Sequence, residues 1–307
     1  MHHRYVLSAL LGLSLGPAFA ADAPGGAIAD QSEPHKRVAP ATERFEPPAE
    51  ASISKDAFGQ MVERGRQLFV NTQSLRGQYV GNGLNCANCH LDQGRQPHSA
   101  PLWGAWTAYP AFRKKTGEVS TFIERIQGCF MYSMNGKAPA ADSEELKALS
   151  TYAYWLAKGA PTGIDLPGRL YPALPKPKGG FDIARGKAVY AEHCAVCHGA
   201  SGEGQKQGEH YAFPPLWGRD SYNWGAGMHR VNTAAGFIQA NMPLGQGGTL
   251  SEQQAWDVAA FVNSHERPQD PRFTVDIETT RQKFHANDGV NFYGQTLDGV
   301  LIGQGID

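Results

Sequence analysis

Cys86-Ala87-Asn88-Cys89-His90 and Cys194-Ala195-Val196-Cys197-His198 are the stretches on which the reading of this chain turns. Each is a Cys-x-x-Cys-His, the pattern by which a c-type haem is attached. Two thiols three positions apart can add to the two vinyl groups along one porphyrin edge. The histidine next in line then falls beneath the iron as its proximal ligand. For a single short motif the alternatives are a zinc half-site or a thiol redox pair. Two copies, each opening a similar block, select two covalently bound c-type haems, held by Cys86, Cys89, His90, Cys194, Cys197 and His198.

Working outward from the motifs, the two blocks repeat. Upstream, Arg64-Gly65-Arg66-Gln67-Leu68-Phe69 matches Arg185-Gly186-Lys187-Ala188-Val189-Tyr190, each with the spacing of an amphipathic helix. Downstream, Pro101-Leu102-Trp103-Gly104 recurs as Pro215-Leu216-Trp217-Gly218. Ser143 and Ser251 each lie 53 residues after their motif histidine and read as N-caps before acidic first turns. The helices they open carry apolar stripes: Leu146, Leu149, Tyr152, Trp155 and Leu156 in one, Ala255, Trp256, Ala259 and Val262 in the other. Helix, haem motif, loop and helix, twice over, resembles the class I cytochrome c fold. The expected fold class is therefore mostly α, with two such domains, each wrapped around one haem and joined by a Pro-rich linker.

The expected organisation is a signal peptide at 1–20, a disordered or draped arm at 21–52, and a first cytochrome c domain at 53–160. A linker at 161–180, stiffened by five prolines between 161 and 177, leads to a second domain at 181–267 and an extended C-terminal strap at 268–307. Arg4 with two histidines, an apolar run at 6–15 and Ala18-Phe19-Ala20 give the export signal, with cleavage near Ala20. That run is too short to span a bilayer, so the mature chain is expected in the periplasm without membrane insertion. Export agrees with the haems, because c-type attachment takes place outside the cytoplasm. Across 307 residues the net charge is −1, and no global field points to nucleic acid. Abundant glycine (36) and proline (20) predict long loops, where a bound haem substitutes for part of a small apolar core.

The second axial ligand decides what each iron does: a methionine thioether raises the potential, while a thiolate lowers it. In the second block Met242 stands 44 residues after His198, in a loop before the last helix; Met228 and His229 are its rivals. In the first block Met134 stands at the same spacing after His90. The haems use four of five cysteines, and the fifth, Cys129, falls in the same loop as Met134. Free cysteine is usually a small buried hydrophobe. Spacing and repeat logic favour Met134 over Cys129, and both remain open on residues alone.

Three further stretches bear on that choice: 83–95 around the first motif, Arg125-Ile126-Gln127-Gly128-Cys129-Phe130, and Ser133-Met134-Asn135-Gly136-Lys137. Together with Phe292-Tyr293-Gly294 they resemble the dihaem thiosulfate dehydrogenases, periplasmic two-domain cytochromes c that couple two thiosulfates into tetrathionate. The resemblance implies that Cys129 is the distal ligand of a catalytic first haem and Met242 that of an electron-transfer second haem. The implied metal ligands are His90, Cys129, His198 and Met242. Some members carry lysine immediately before that methionine, where this chain has Asn241. It further implies electron flow from haem 1 to haem 2 and on to a soluble cytochrome c or other periplasmic acceptor, with tetrathionate reduction as the reverse reaction.

Joining two dianions calls for cations that donate charge-assisted hydrogen bonds to sulfonate oxygens. Arg125 lies one helical turn before Cys129 and is the first candidate; Arg113, Gln93 and Ser99 follow. Arg95, Lys114, Lys115 and Lys137 are also near in sequence, and the two adjacent lysines read as a solvated face. Two other classes compete with the enzyme. One is a plain dihaem electron carrier ligated by Met134 and Met242. The other is a sulfur-transfer subunit like the cysteine-haem component of the Sox complex.

Overall fold

The computed structural model describes Met1 and residues 44–113, 116–208 and 210–306. The expected signal peptide, the arm as far as residue 43, and Lys114 and Lys115 lie outside the described residues.

Five of the six principal helices begin where a side chain supplies an acceptor for otherwise free N–H groups. Helix α1 (Ala57–Val70) starts at Asp56, whose carboxylate accepts from the Gly59 N–H. Helix α2 (Phe122–Gly128) starts at Thr121 in a capping box with Glu124. Helix α3 (Glu144–Leu156) starts at Ser143, and α4 (Ile183–His193) at Asp182. Helix α5 (Val231–Asn241) follows Arg230 without a side-chain cap, and α6 (Glu252–Asn263) opens with a Ser251–Gln254 capping box. Both serines expected to cap helices do so.

Two helix crossings organise the chain: α1 packs on α3, and α4 packs on α6. Each crossing is made at a glycine. A Cβ on Gly65 would lie 2.1 Å from the Ala148 carbonyl oxygen, and one on Gly186 would lie 2.0 Å from that of Asp257. Only glycine lets the backbones approach that closely. These are the glycines of the repeated Arg-Gly pairs, so the repeat records a packing requirement. At the second crossing Asp257 also accepts from the Asp182 N–H (2.7 Å) and from the Arg185 guanidinium (2.8 and 3.0 Å).

The first module buries Val62, Phe69, Trp103, Phe130, Leu146 and Tyr152 in one cluster. In the second, Trp224, Val231 and Trp256 form one cluster, and Tyr190, Val258 and Phe261 another. Fully burying such a side chain stabilises the fold by about 1.5–3 kcal/mol. Sheet among the described residues is limited to three short antiparallel pairs, Ala111–Arg113 with Glu118–Ser120, Gln205–Gln207 with His210–Phe213, and Thr296–Leu297 with Val300–Leu301. The architecture is mostly helical, as expected.

Polar contacts lock the modules together. Asn82, fully buried, donates to the carbonyls of Ser133 (2.7 Å) and Ser221 (3.0 Å). Asn223 donates to the Met131 carbonyl at 2.9 Å, and Asn241 to that of His98 at 2.9 Å. The proline-rich stretch runs against both modules: Tyr171 stacks edge-on with Phe237 of α5, and its hydroxyl points at the Cys89 carbonyl, 3.4 Å away. The tail beyond 267 carries secondary structure of its own, two helical turns at Ile277–Thr280 and Arg281–His285 and the last strand pair. Its Phe292, Tyr293 and Ile302 are buried in the second module.

Candidate functional site

The second motif begins at the C-cap of α4, the first comes after α1 and the stretch 71–85, and in both the histidine ring is held from behind. His90 Nδ1–H donates to the Ala100 carbonyl at 2.6 Å, and His198 Nδ1–H to that of Pro214 at 2.8 Å. Each acceptor immediately precedes its Pro-Leu-Trp-Gly, so the downstream repeat positions the proximal histidine. Ala100 adopts φ 50°, a left-handed conformation that costs a non-glycine residue about 1–2 kcal/mol. Fixing Nδ1–H in this way leaves Nε2 as the lone-pair nitrogen a metal needs. Burial pushes His90 down to about 4 and also lowers His198, so both rings are neutral at pH 7.

Burial pushes the Cys86 thiol up to about 12 and those of Cys89 and Cys194 up to about 11. Beside the second motif lies an apolar cavity of about 240 Å³ lined by Cys194, Cys197, His198, Met228, Phe237 and Met242. Ala87 and Cys89 of the first motif line it too, so the attachment sites adjoin. The residues therefore fit the groups: paired cysteines, a neutral histidine and an apolar chamber at the second motif. His229 is fully buried and stands apart from this lining, while Met228 and Met242 both contribute to it.

The first motif faces different surroundings. Helix α2 passes directly into a single π-helical segment, Cys129–Ser133, which re-aims the residues at its start. Phe130 and Met134 turn inward, 1 % and 3 % exposed, while Cys129 is only half-buried. Arg125 Nη1 donates to the Cys129 sulfur at 3.0 Å. The charge interaction with Cys129 raises the Arg125 guanidinium against its burial, so it stays charged. Cys129 also perturbs Cys86 and Cys89 electrostatically, which places its sulfur by the first motif.

Next to this pair opens a polar cavity of about 580 Å³, lined by Arg113, Arg125, Gly128, Tyr132, Arg230 and Lys283 among others. Glu124 and Asp288 are its acidic members. Arg113 is oriented by a hydrogen bond to the Tyr109 hydroxyl at 2.8 Å, and burial lowers its guanidinium, with Arg125 adding repulsion. The structure thus brings Cys129, Arg125 and Arg113 together. It does not bring Gln93 or Ser99 to them. The Gln93 side chain accepts from Arg66 (2.8 Å) and donates to Glu50 (2.9 Å). Ser99 is fully buried behind the proximal histidine and donates to the Gln96 carbonyl at 2.7 Å. Both follow the motif closely in sequence, but the left-handed turns at Asp92, Gln93, His98 and Ala100 carry them to the proximal side.

Sequence reasoning missed Arg230 and Lys283. One precedes α5 and the other belongs to the tail, and no periodicity connects either with Cys129. Asn241 is 3 % exposed, accepts from Gln96 Nε2 at 2.7 Å and donates to the His98 carbonyl, so it ties the Met242 loop to the first module.

Residues 75–162 match the model of the SoxA/TsdA cytochrome c domain, and residues 183–266 match that of cytochrome c. The chain is 62 % identical to a thiosulfate dehydrogenase of Stutzerimonas stutzeri over 263 residues, covering 85 % of this chain and 86 % of that one. It is 48 % identical to a thiosulfate dehydrogenase of Thiomonas intermedia over 294 residues, covering 96 % and 92 %. Among solved structures it is similar to the thiosulfate dehydrogenase TsdBA of Marichromatium purpuratum, with a TM-score of 0.82 at 51 % identity. That match covers 86 % of this chain and 58 % of the longer TsdBA chain.

Proposed function

The chain belongs to the thiosulfate dehydrogenase family, and from that premise we propose that it couples two thiosulfates into tetrathionate at Cys129. The observation that carries this reading is the Arg125–Cys129 contact of 3.0 Å at the edge of a cavity lined by Arg113, Arg230 and Lys283. Thiosulfate and tetrathionate are dianions, and a polar chamber with four cationic side chains suits them. Two c-type haems, when bound, would supply the one-electron acceptors this oxidation needs, from the first to the second and then to a cytochrome acceptor. Cys86, Cys89 and His90 would hold the first, and Cys194, Cys197 and His198 the second, with Cys129 and Met242 the residues that would complete their ligand sets.

Bond making and breaking fall on Cys129, and the two electrons released would leave through the bound haems. The Cys129 thiolate and the sulfane sulfur of one thiosulfate form an S–S bond, giving a cysteine S-thiosulfonate and releasing two electrons. The sulfane sulfur of a second thiosulfate attacks the adduct sulfur that is bonded to Cys129 Sγ. The S–S bond to Cys129 breaks, tetrathionate leaves and the thiolate is restored. Arg125 keeps its charge through the cycle and stabilises the thiolate both as nucleophile and as leaving group. Arg113 and Arg230 offset the repulsion of the incoming dianion. The same steps in reverse reduce tetrathionate, and the potential of the acceptor sets the direction.

No helix among the described residues is long and apolar enough to cross a membrane. Covalent haem attachment and the expected signal peptide support a periplasmic location for this activity. The test is Cys129→Ala with both haems still attached. Thiosulfate-dependent cytochrome reduction is expected to fall by at least about 10³-fold, the scale of losing a covalent nucleophile. Turnover within a few-fold of the parent would sink the reading.

A further inference from the structure

Behind the cationic cavity three side chains converge with no role in the chemistry above. His229, fully buried, precedes α5; His285, 1 % exposed, and Asp288 come from the tail. Their ligand-capable atoms all lie within 4.8 Å of one another. His229 Nε2 and His285 Nδ1 are 3.3 Å apart, and Asp288 Oδ2 is 3.8 Å from His229 Nε2. The opposite edge of each ring fixes what these nitrogens are. His229 Nδ1 faces the Ala226 carbonyl, which only accepts, so that nitrogen carries the proton. His285 Nε2 faces Asp270 Oδ2 at 2.9 Å. Asp270 is held ionised by Arg272, whose Nη2 donates to the same oxygen at 2.6 Å, so His285 Nε2 must donate as well.

With their far edges so engaged, His229 Nε2 and His285 Nδ1 turn toward each other. A buried carboxylate oxygen, Asp288 Oδ2, without a hydrogen-bond partner, joins them. Three ligand-capable atoms this close together form a ready donor set for one cation. A shared proton would draw the nitrogens toward ordinary hydrogen-bond range, about 2.9–3.0 Å. Two ligands of a tetrahedral ion, each at about 2.0–2.1 Å, stand about 3.3 Å apart. Asp270–His285 is also the carboxylate–histidine pairing that orients metal-bound imidazoles.

We propose that His229, His285 and Asp288 form a binding site for a divalent zinc-class ion. Nitrogen-rich donors with one carboxylate suit that class. The ion clamps the tail segment that carries Lys283 to the module that carries Arg230. Asp288 Oδ1 accepts from Arg230 at 3.1 Å, so clamping also fixes a wall of the cavity. The site itself stands independently of the sulfur chemistry proposed above.

The experiment uses tag-free, full-length holoprotein loaded with ZnCl₂, dialysed, and analysed for zinc and iron together, with titration calorimetry for affinity. The two haem irons count the chains. The expected result is roughly one zinc for every two irons in the parent protein. His285→Gln is expected to abolish binding. Asp288→Asn, at the more accessible position, is expected to weaken it at least about tenfold and covers the case in which the buried variant does not fold. Either no retained zinc in the parent, or equal zinc in the parent and Asp288→Asn at unchanged iron content, would overturn the site.

Discussion

The two haem-binding modules share their supports and differ in what faces them. Each crosses its terminal helices at a glycine, Gly65 or Gly186, and each anchors its motif histidine to the carbonyl just before a Pro-Leu-Trp-Gly. Beyond those supports the environments diverge. The second motif opens on an apolar chamber with Met242, and the first on Cys129, its arginine partner and a cationic cavity. Attachment is thus separable from chemistry in this fold. The motif fixes where a haem goes, and the proposed ligands Cys129 and Met242, 39 and 44 positions after their motif histidines, would decide what that haem does.

Equivalence of the supports can be broken directly. Gly65→Ala and Gly186→Ala each force a methyl onto a backbone carbonyl, at 2.1 and 2.0 Å, and the helices must separate. Overpacking of this kind costs about 3 kcal/mol, the upper end of the usual range. Both variants are expected to show a lower thermal midpoint by similar amounts in calorimetry. A large drop for one and none for the other would mean that the two crossings are not the same device.

The difference between the modules is sharpened by Arg125→Gln. Removing the charge leaves a part-buried sulfur without its guanidinium, at a cost of about 2 kcal/mol. Thiosulfate-dependent kcat/KM is expected to fall roughly 30-fold, by the usual conversion of free energy to rate. The optical spectrum of the first haem is expected to shift while that of the second stays put. A shift in both, or in neither, would contradict the assignment of Cys129 to one module only.

How much of this was legible in the chain follows from contact range. The cofactors, the repeat, the terminal helices and the Ser143 and Ser251 caps depend on residues within a turn or two of each other, and local spacing reveals those. Gly65 and Gly186 were visible as repeated letters, but their reason lies in carbonyls 83 and 71 residues away. Gln93 and Ser99 were drawn to the active side by proximity in sequence, and left-handed turns send them to the proximal side. The tail was least legible. Phe292 and Tyr293 lack helical or strand periodicity, yet they are buried, and the His229–His285 pair spans 56 residues. Such long-range pairings leave no local pattern.

The smallest expected effect tests whether the first haem's site belongs to the first module at all. Arg230 and Lys283 lie in the second module and the tail, yet both line the cavity beside Cys129. Neither is assigned a bond to the reacting sulfur, so their contribution is a field on the incoming dianion. For part-exposed cations that is worth about 0.5–1 kcal/mol, and it is screened by salt. Arg230→Gln and Lys283→Gln should therefore raise KM for thiosulfate about two- to fivefold at low ionic strength and leave kcat nearly unchanged. Arg230 also pairs with Asp288 at 3.1 Å, so its loss exposes a carboxylate to the cavity and should give the larger change. At about 1 M salt, where the screening length shrinks to about 3 Å, both variants should converge on the parent. Convergence would show that the second module shapes substrate capture by the first through charge alone; a fall in kcat that salt does not restore would instead place one of these cations on the reacting atoms.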